Sequence, residues 1–331
     1  MKKRMLGRTG LSVSELSMGG LFVASFAGEF EQARAAVKRA AELGINYIDT
    51  APGYGNSEEN VGRILPEIEP PLIVSTKLGG RPQPFLPQDR DGLMKSVEES
   101  LRLLHRDTID MLIIHEPDRP GQYDWWSDWD RFTGPVLDVL DDLKRQGIIR
   151  YTGLGGTTAY EMARIMRTGR FDVVLTAYNY SLLWREAEIE ILPLARELGM
   201  GIIVGSPLQQ GALAKRYDDQ IQHGAPWMSP PRRNQYKKLY ALCDELKMPV
   251  AELAIRFVLS NPDISCVLMG ARSPQEVEAN VASAEKGPLS KEILARIDAI
   301  SALVPFRPFA EPFGLGWILG GAMAYKGPGT A

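Results

Sequence analysis

Short apolar runs alternate with longer amphipathic stretches along most of the chain. The runs centre on Leu16 to Met18, Tyr47 to Asp49, Leu72 to Thr76, Ile109 to Ile114, Ile149 to Leu154, Val173 to Ala177, Gly201 to Val204 and Ser265 to Met269. Several are continuous rather than alternating, the pattern of strands buried on both faces. Helical spacing fills the intervals: Glu31 to Leu43, Glu58 to Leu65, Gly92 to Leu104, Val136 to Gln146, Tyr160 to Arg167, Glu186 to Leu198, Val250 to Leu259 and Pro274 to Ala284. Gly44, Gly147 and Gly199 stand just past three of these helices, where a left-handed cap favours glycine.

Strict alternation of strand and helix implies a parallel sheet, and eight such units imply that it closes. The expected fold class is therefore α/β, a (β/α)8 TIM barrel forming one domain over 1–331. An open doubly wound sheet would be favoured by GxGxxG after the first strand, and Met18-Gly19-Gly20 lacks that spacing. Arg4 to Val13, turning at Gly7-Arg8-Thr9-Gly10, reads as an N-terminal β-hairpin ahead of the barrel. Long loops are expected at the C-terminal face. One follows His115 and is rich in Pro, Asp and Trp, another runs from Gln209 to Pro231, and an irregular tail covers 305–331.

Composition narrows the function classes. Apolar residues make up 44% and charged residues 24%, enough for a substantial core under a solvated surface. The net charge of −3 offers no general attraction to nucleic acid or to an anionic membrane, so neither is expected as a partner. No stretch reaches the ~18 apolar residues of a membrane span. Met1 to Gly10 is basic and polar rather than signal-like, so the expected location is cytoplasmic. Cys243 and Cys266 sit in apolar surroundings and read as buried thiols. His105, His115 and His223 have no ligand spacing, so no metal site is expected.

In a closed parallel barrel, reacting groups gather where the strands end at the C-terminal rim. The second run ends at Asp49, with Tyr54 in the loop beyond; the third ends at Lys77 and the fourth at His115. Singly, each has an ordinary explanation: a helix cap, a packing aromatic, a solvated loop residue, a core histidine. Arriving together from three successive units, they point to proton handling. A phenol titrates near about 10, too high for an efficient acid near neutrality. A neighbouring ammonium lowers that value, and a carboxylate keeps the ammonium charged and placed. The expectation is a Tyr54 phenol tuned downwards by Lys77 and anchored by Asp49.

Tyr47-Ile48-Asp49-Thr50-Ala51-Pro52-Gly53-Tyr54-Gly55 resembles a signature of the aldo-keto reductases, and Ser75-Thr76-Lys77 and Ile113-Ile114-His115 resemble the next two, in order. The likeness continues through Gly205-Ser206-Pro207-Leu208 to Gly270-Ala271-Arg272-Ser273-Pro274 and Asn280, so it covers most of the chain. It implies an NAD(P)(H)-dependent oxidoreductase in which Tyr54 is the general acid/base, Lys77 and Asp49 tune it, and His115 orients the carbonyl. The same fold also serves non-catalytic, regulatory nicotinamide-binding proteins, the alternative in a different class. Relatives hold the cofactor carboxamide with Ser-Asn after strand five and a Gln in strand six. Here Gly155-Gly156 replaces the pair, leaving Thr157 or Asn179 for those contacts and Tyr178 or Tyr180 to stack on the nicotinamide. Ser206 and Leu208 fall at the pyrophosphate.

Gly270 to Asn280 should open a phosphate-favouring helix N-terminus. Arg272 there suits a ribose 2′-phosphate, whereas Glu276 suits a free diol. The balance expected from sequence is NADP(H), modestly, with NAD(H) accepted. Phe22, Trp125 and Trp126, with Trp129, are the expected substrate walls, for a small carbonyl compound or sugar. A homo-oligomer is left open.

Overall fold

The structure, a computed structural model, describes residues 1–225 and 228–305. An antiparallel hairpin of β1 (Lys3–Met5) and β2 (Ser12–Ser14) precedes the barrel. The barrel then begins with β3 (Leu16–Gly19), α1 (Phe30–Glu42), β4 (Tyr47–Asp49), α2 (Ser57–Ile64), β5 (Ile73–Leu78), α3 (Arg90–Leu104), β6 (Ile109–His115) and α4 (Pro135–Arg145). It continues through β7 (Ile149–Gly156), α5 (Ala159–Met166), β8 (Val173–Ala177), α6 (Ile191–Leu198) and β9 (Gly201–Gly205). After α7 (Asp218–His223), α8 (Pro230–Leu246) and α9 (Val250–Leu259) come β10 (Cys266–Met269), α10 (Pro274–Glu285) and α11 (Lys291–Ser301). Strands β3 to β10 pair in parallel in chain order, and β10 returns to β3 to close the eight-stranded barrel. This is the expected TIM barrel with its hairpin. Gly44, Gly147 and Gly199 take positive φ as caps require.

Two hydrophobic layers explain the apolar runs. Val74, Leu112, Ile114 and Val174 point outward into the large core shared with the helices. Tyr47, Met111, Ile113, Val173, Leu175, Ile203 and Leu268 point inward and fill the barrel. Side chains alternate along a strand, so the inward set continues 47, 49; 73, 75, 77; 111, 113, 115. Asp49, Lys77 and His115 therefore share one parity and meet inside the C-terminal rim.

The hairpin closes the opposite end. Leu6, Leu11 and Val13 join the inward cluster. The Arg4 guanidinium donates to the carbonyls of Leu259, Asn261 and Ile264 and pairs with Glu15, tying the hairpin to the chain entering β10.

The structure differs from the sequence reading in the long segment after β9. The expected loop contains α7, and α8 begins within it. The buried face of α8 includes Arg232, Gln235, Tyr236 and Tyr240, so its apolar periodicity is weak. Gln235 Nε2 donates to the carbonyls of Ile300 and Ser301, which docks α8 against α11. The helix expected over Glu186 to Leu198 is split: Glu186–Glu188 is a 3-10 turn and α6 begins only at Ile191. Of the tail expected over 305–331, residues 306–331 lie outside the described residues. Among the described residues, no helix is long and apolar enough to cross a membrane, and no group of His, Cys, Asp and Glu could hold a metal.

Gly7 tests the plug. It holds a φ of +51°, and a Cβ there would overlap the Gly201 amide and the Met200 and Gly199 carbonyls. Gly7→Ala should cost about 2–4 kcal/mol, from left-handed strain and overpacking together. Urea unfolding measures it; an unchanged midpoint would mean that the hairpin is not seated against β9.

Candidate active site

The centre of the site is a buried ion pair. Lys77 Nζ donates to Asp49 Oδ2 at 2.6 Å and to the Thr50 carbonyl at 2.8 Å. Both side chains are almost wholly buried, at 1% and 3% exposure. Ser75 Oγ, two residues before Lys77 on the same inward face, donates to Asp49 Oδ1 at 2.7 Å and lies 2.8 Å from the Tyr47 hydroxyl. The carboxylate thus has partners on both oxygens, as a buried charge requires. Burial pulls the Lys77 ammonium down, but Asp49 and then Tyr54 outweigh it and hold the value above that of a free lysine.

Tyr54 reaches this pair from the β4–α2 loop. The loop is tight: Tyr54 N–H donates to the Ala51 carbonyl, and Ser57 N–H to the Tyr54 carbonyl, both at 3.1 Å. Ser57 Oγ, at the first turn of α2, lies 2.7 Å from Thr50 Oγ1 and donates to the Gly20 carbonyl. The half-buried Tyr54 ring ends 4.7 Å from Lys77 Nζ, measured to the ring centre, and edge-on to His115 at 5.8 Å. The sequence expectation for its titration is corrected. Burial raises the phenol more than Lys77 lowers it, and Asp49 raises it further, so the net shift is upward. Desolvating a phenolate costs more than one already-paired ammonium returns.

Burial first, then Lys77 and Arg119, pushes His115 down to about 3, so its imidazole is neutral. Its Nδ1 is buried with no partner among the described residues. An unpaired acceptor costs less than an unpaired N–H, which puts the proton on Nε2 and makes that atom the donor.

The wall past His115 is aromatic. Tyr123 packs 6.4 Å from His115 and against Phe85 and Trp125. Gly79 and Gly80, after Lys77, leave room for the Tyr123 ring and hydroxyl. Sequence reasoning did not single out Tyr123; nothing in a loop with so many aromatics marks which one faces the site. Trp125 and Trp126 are buried, and their indole N–H groups donate to the carbonyls of His115 and Pro117 at 2.9 and 2.8 Å. They fasten the loop. Trp129 lies partly buried against Phe132.

The remaining named residues lie along the rim. Tyr178 has a φ of +66°, accepts from Gln210 Nε2 at 2.8 Å, and is close enough to Tyr54 to weigh on its titration. Tyr180 is buried against Phe257, and its hydroxyl accepts from Asn261 Nδ2 at 3.1 Å. Asn179 is buried and donates to Thr176 Oγ1 at 3.1 Å. Thr157 Oγ1 donates to Glu116 Oε2 at 3.0 Å. Ser206 takes a φ of +53°, and Leu208 follows in the same turn. Gly270 leaves space that the Phe22 ring fills, and the Arg272 guanidinium lies 4.6 Å from the centre of that ring. Phe22 is thus grouped with Arg272 rather than with Tyr54. Asn280 Nδ2 points back to Met269 Sδ at 3.7 Å.

These residues fit an elongated dinucleotide. Tyr178, fixed at its backbone and its hydroxyl, offers an aromatic face beside Tyr54 for a flat ring. Ser206 and Leu208 follow β9, which lies between β8 and β10, and α10 begins just beyond β10.

A closed barrel whose rim holds a phenol, a paired ammonium and a neutral imidazole is the arrangement of an acid/base site for carbonyl and alcohol oxygens. The aldo/keto reductase family profile matches residues 16–302. The chain is 31% identical to L-galactose dehydrogenase of Arabidopsis thaliana, covering 94% of this chain and 97% of that protein. It is 30% identical to an NADH-specific methylglyoxal reductase of Escherichia coli, covering 86% and 93%. An aldo-keto reductase from Bacillus halodurans in its holo form superposes with a TM-score of 0.74 at 28% identity, covering 91% of this chain and 96% of that one. The chain belongs to the aldo/keto reductase family and is an oxidoreductase of that family.

The ion pair has a testable energetic role. Asp49→Asn leaves the Lys77 charge buried without its counter-ion and should destabilise the fold by about 3–5 kcal/mol. Adding Lys77→Met should recover much of that loss. A single mutant with wild-type stability in thermal and denaturant melts would refute the pairing.

Proposed function

We propose that this chain uses a nicotinamide dinucleotide to interconvert a small aldehyde, ketone or sugar carbonyl with its alcohol, and that Tyr54 is the general acid/base. The observation that carries this reading is the Tyr54 phenol beside an ammonium that Asp49 keeps charged. A nicotinamide dinucleotide held along this rim would supply hydride in reduction and accept it in oxidation. His115 Nε2 donates to the carbonyl oxygen and orients it. Tyr54, a phenol and so protonated at neutral pH, gives its proton to the same oxygen. Lys77 then stabilises the phenolate left behind. In oxidation the transfers reverse.

Two side chains at the start of α10 support a reading of cofactor choice. Glu276 Oε2 accepts the Arg272 backbone N–H at 2.8 Å, and Glu276 N–H donates to Ser273 Oγ at the helix cap. A carboxylate thus occupies the N-terminus of α10, close to where a 2′-phosphate would need to bind. The guanidinium expected to grip that phosphate lies on Phe22 instead. This supports NAD(H) as the better ligand and shifts the balance from the modest NADP(H) preference expected from sequence. The Escherichia coli methylglyoxal reductase to which the chain is similar is NADH-specific, which supports the same reading.

Tyr54→Phe keeps the ring and removes the proton. Since acid/base catalysis contributes roughly 10²–10⁴-fold, kcat should fall by that order while cofactor affinity holds. Cofactor binding with no turnover of any carbonyl by the wild type would favour the regulatory reading. Near-wild-type turnover by the variant would remove Tyr54 from the chemistry.

Glu276→Gln should improve NADPH binding relative to NADH by about tenfold, the order expected from relieving one close like-charge contact. Dissociation constants from tryptophan fluorescence give the ratio. A wild type that strongly prefers NADPH would reject the assignment.

A further inference from the structure

Glu116 directly follows His115, and the mechanism above leaves it unused. His115 points into the barrel, so an uninterrupted strand would send the next side chain outward among the helices. Glu116 breaks the alternation with a φ of +52° while its N–H still donates to the Gly155 carbonyl at 2.7 Å. Its side chain turns instead along the rim to Thr157 Oγ1, which donates to Oε2 at 3.0 Å. Arg119 approaches the same oxygen at 3.5 Å. Oε1 accepts no hydrogen bond among the described residues, and 14% of the side chain is exposed. Tyr123, which packs on His115, is near enough for the Glu116 charge to add to burial in raising its phenol.

We propose that Glu116 is a specificity-determining residue: its free carboxylate oxygen, held beside His115, accepts a hydrogen bond from a hydroxyl adjacent to the substrate carbonyl and so selects hydroxylated aldehydes and sugars over plain ones. The proposal rests on the reading of Tyr54 and His115 as the carbonyl site. Arg119 already approaches the other carboxylate oxygen, which leaves the free one to complement a neutral hydroxyl. A carboxylate with an open lone pair in a desolvated rim discriminates strongly, because a substrate without the donor leaves that oxygen unpaired.

Burial, reinforced by the nearby Asp118, pushes the Glu116 carboxyl up to about 7. Burial also raises Asp118, whose Oδ2 is committed to the Thr157 and Thr158 N–H groups. Among the other groups facing Glu116 or its neighbours, His115 is pushed down to about 3, Tyr54 and Tyr123 are raised, Lys77 is held charged by Asp49, and Arg119 is a cation. Glu116 is neutral below the midpoint and charged above it, so the hydroxyl preference should strengthen as pH rises through neutrality.

Glyceraldehyde and propanal share a three-carbon skeleton and differ in the hydroxyls. Their kcat and KM should be measured at about pH 6 and about pH 8 for the wild type, Glu116→Gln and Glu116→Leu. The wild type should prefer glyceraldehyde, mainly through KM, and more so at the higher pH. Glu116→Leu should reduce the preference ratio by roughly tenfold or more. Glu116→Gln, which keeps an acceptor, should retain part of the ratio and lose its pH dependence. Propanal turnover without a glyceraldehyde preference in the wild type would overturn the role of Glu116 alone. So would equal losses on both substrates in the variants, which mark a structural residue. No turnover of either aldehyde would overturn the carbonyl reading together with it.

Discussion

The site depends on keeping one ammonium charged inside a barrel. An isolated charge in a dry interior would give up its proton or force the structure open. Lys77 avoids both outcomes because strand parity delivers Asp49 to it from β4 and Ser75 to Asp49 from β5. The Thr50 carbonyl takes a second Lys77 donor, and the Thr50 hydroxyl meets Ser57 at the start of α2. The ion pair therefore joins the strand ends to the loop that carries Tyr54. Moving either charge would alter both the core and the placement of the phenol.

The barrel's periodicity is also what makes this arrangement visible in the sequence. Inward and outward positions alternate, and both are apolar over most of the strand length, so the runs read as continuous. Where polarity enters the inward series, at Asp49, Ser75, Lys77 and His115, the barrel interior ends and chemistry begins. Those residues are legible because a strand leaves only one face on which they can meet. The hairpin is legible for a similar reason: its turn glycines sit between short strand-like segments, and one barrel end must be closed by something apolar.

Other features depend on tertiary contacts that no local pattern carries. Helix α8 buries Arg232 and Gln235, and its partner is the end of α11, 65 residues from Gln235 in sequence. Tyr123 shares a loop with three tryptophans, and its packing on Gly80 and His115 sets it apart from them. The direction of the Tyr54 shift reflects a balance between desolvation and charge, and burial cannot be weighed before the fold is known. Phe22 follows the first barrel strand, as a substrate wall would, yet the open space over Gly270 draws it to the Arg272 side.

The glycine at position 156 has a local physical reason. Thr158, the residue before α5, gives no side-chain cap to its own helix. Asp118 instead fixes the approach to it from the β6–α4 loop, its Oδ2 accepting the Thr157 and Thr158 N–H groups and the Thr158 hydroxyl. A Cβ on Gly156 would overlap Asp118 Oδ1 and Met162 Sδ. A side chain at 156 and this carboxylate therefore compete for one space. Once Asp118 occupies it, an Asn at that strand end no longer fits. The polar groups left at this part of the rim, Glu116 and Thr157, come from the ends of β6 and β7, with Glu116 turned along the rim by its positive φ. The space that Asp118 takes over Gly156 and the turn that Glu116 makes at a φ of +52° thus set the polar face of the rim beside His115.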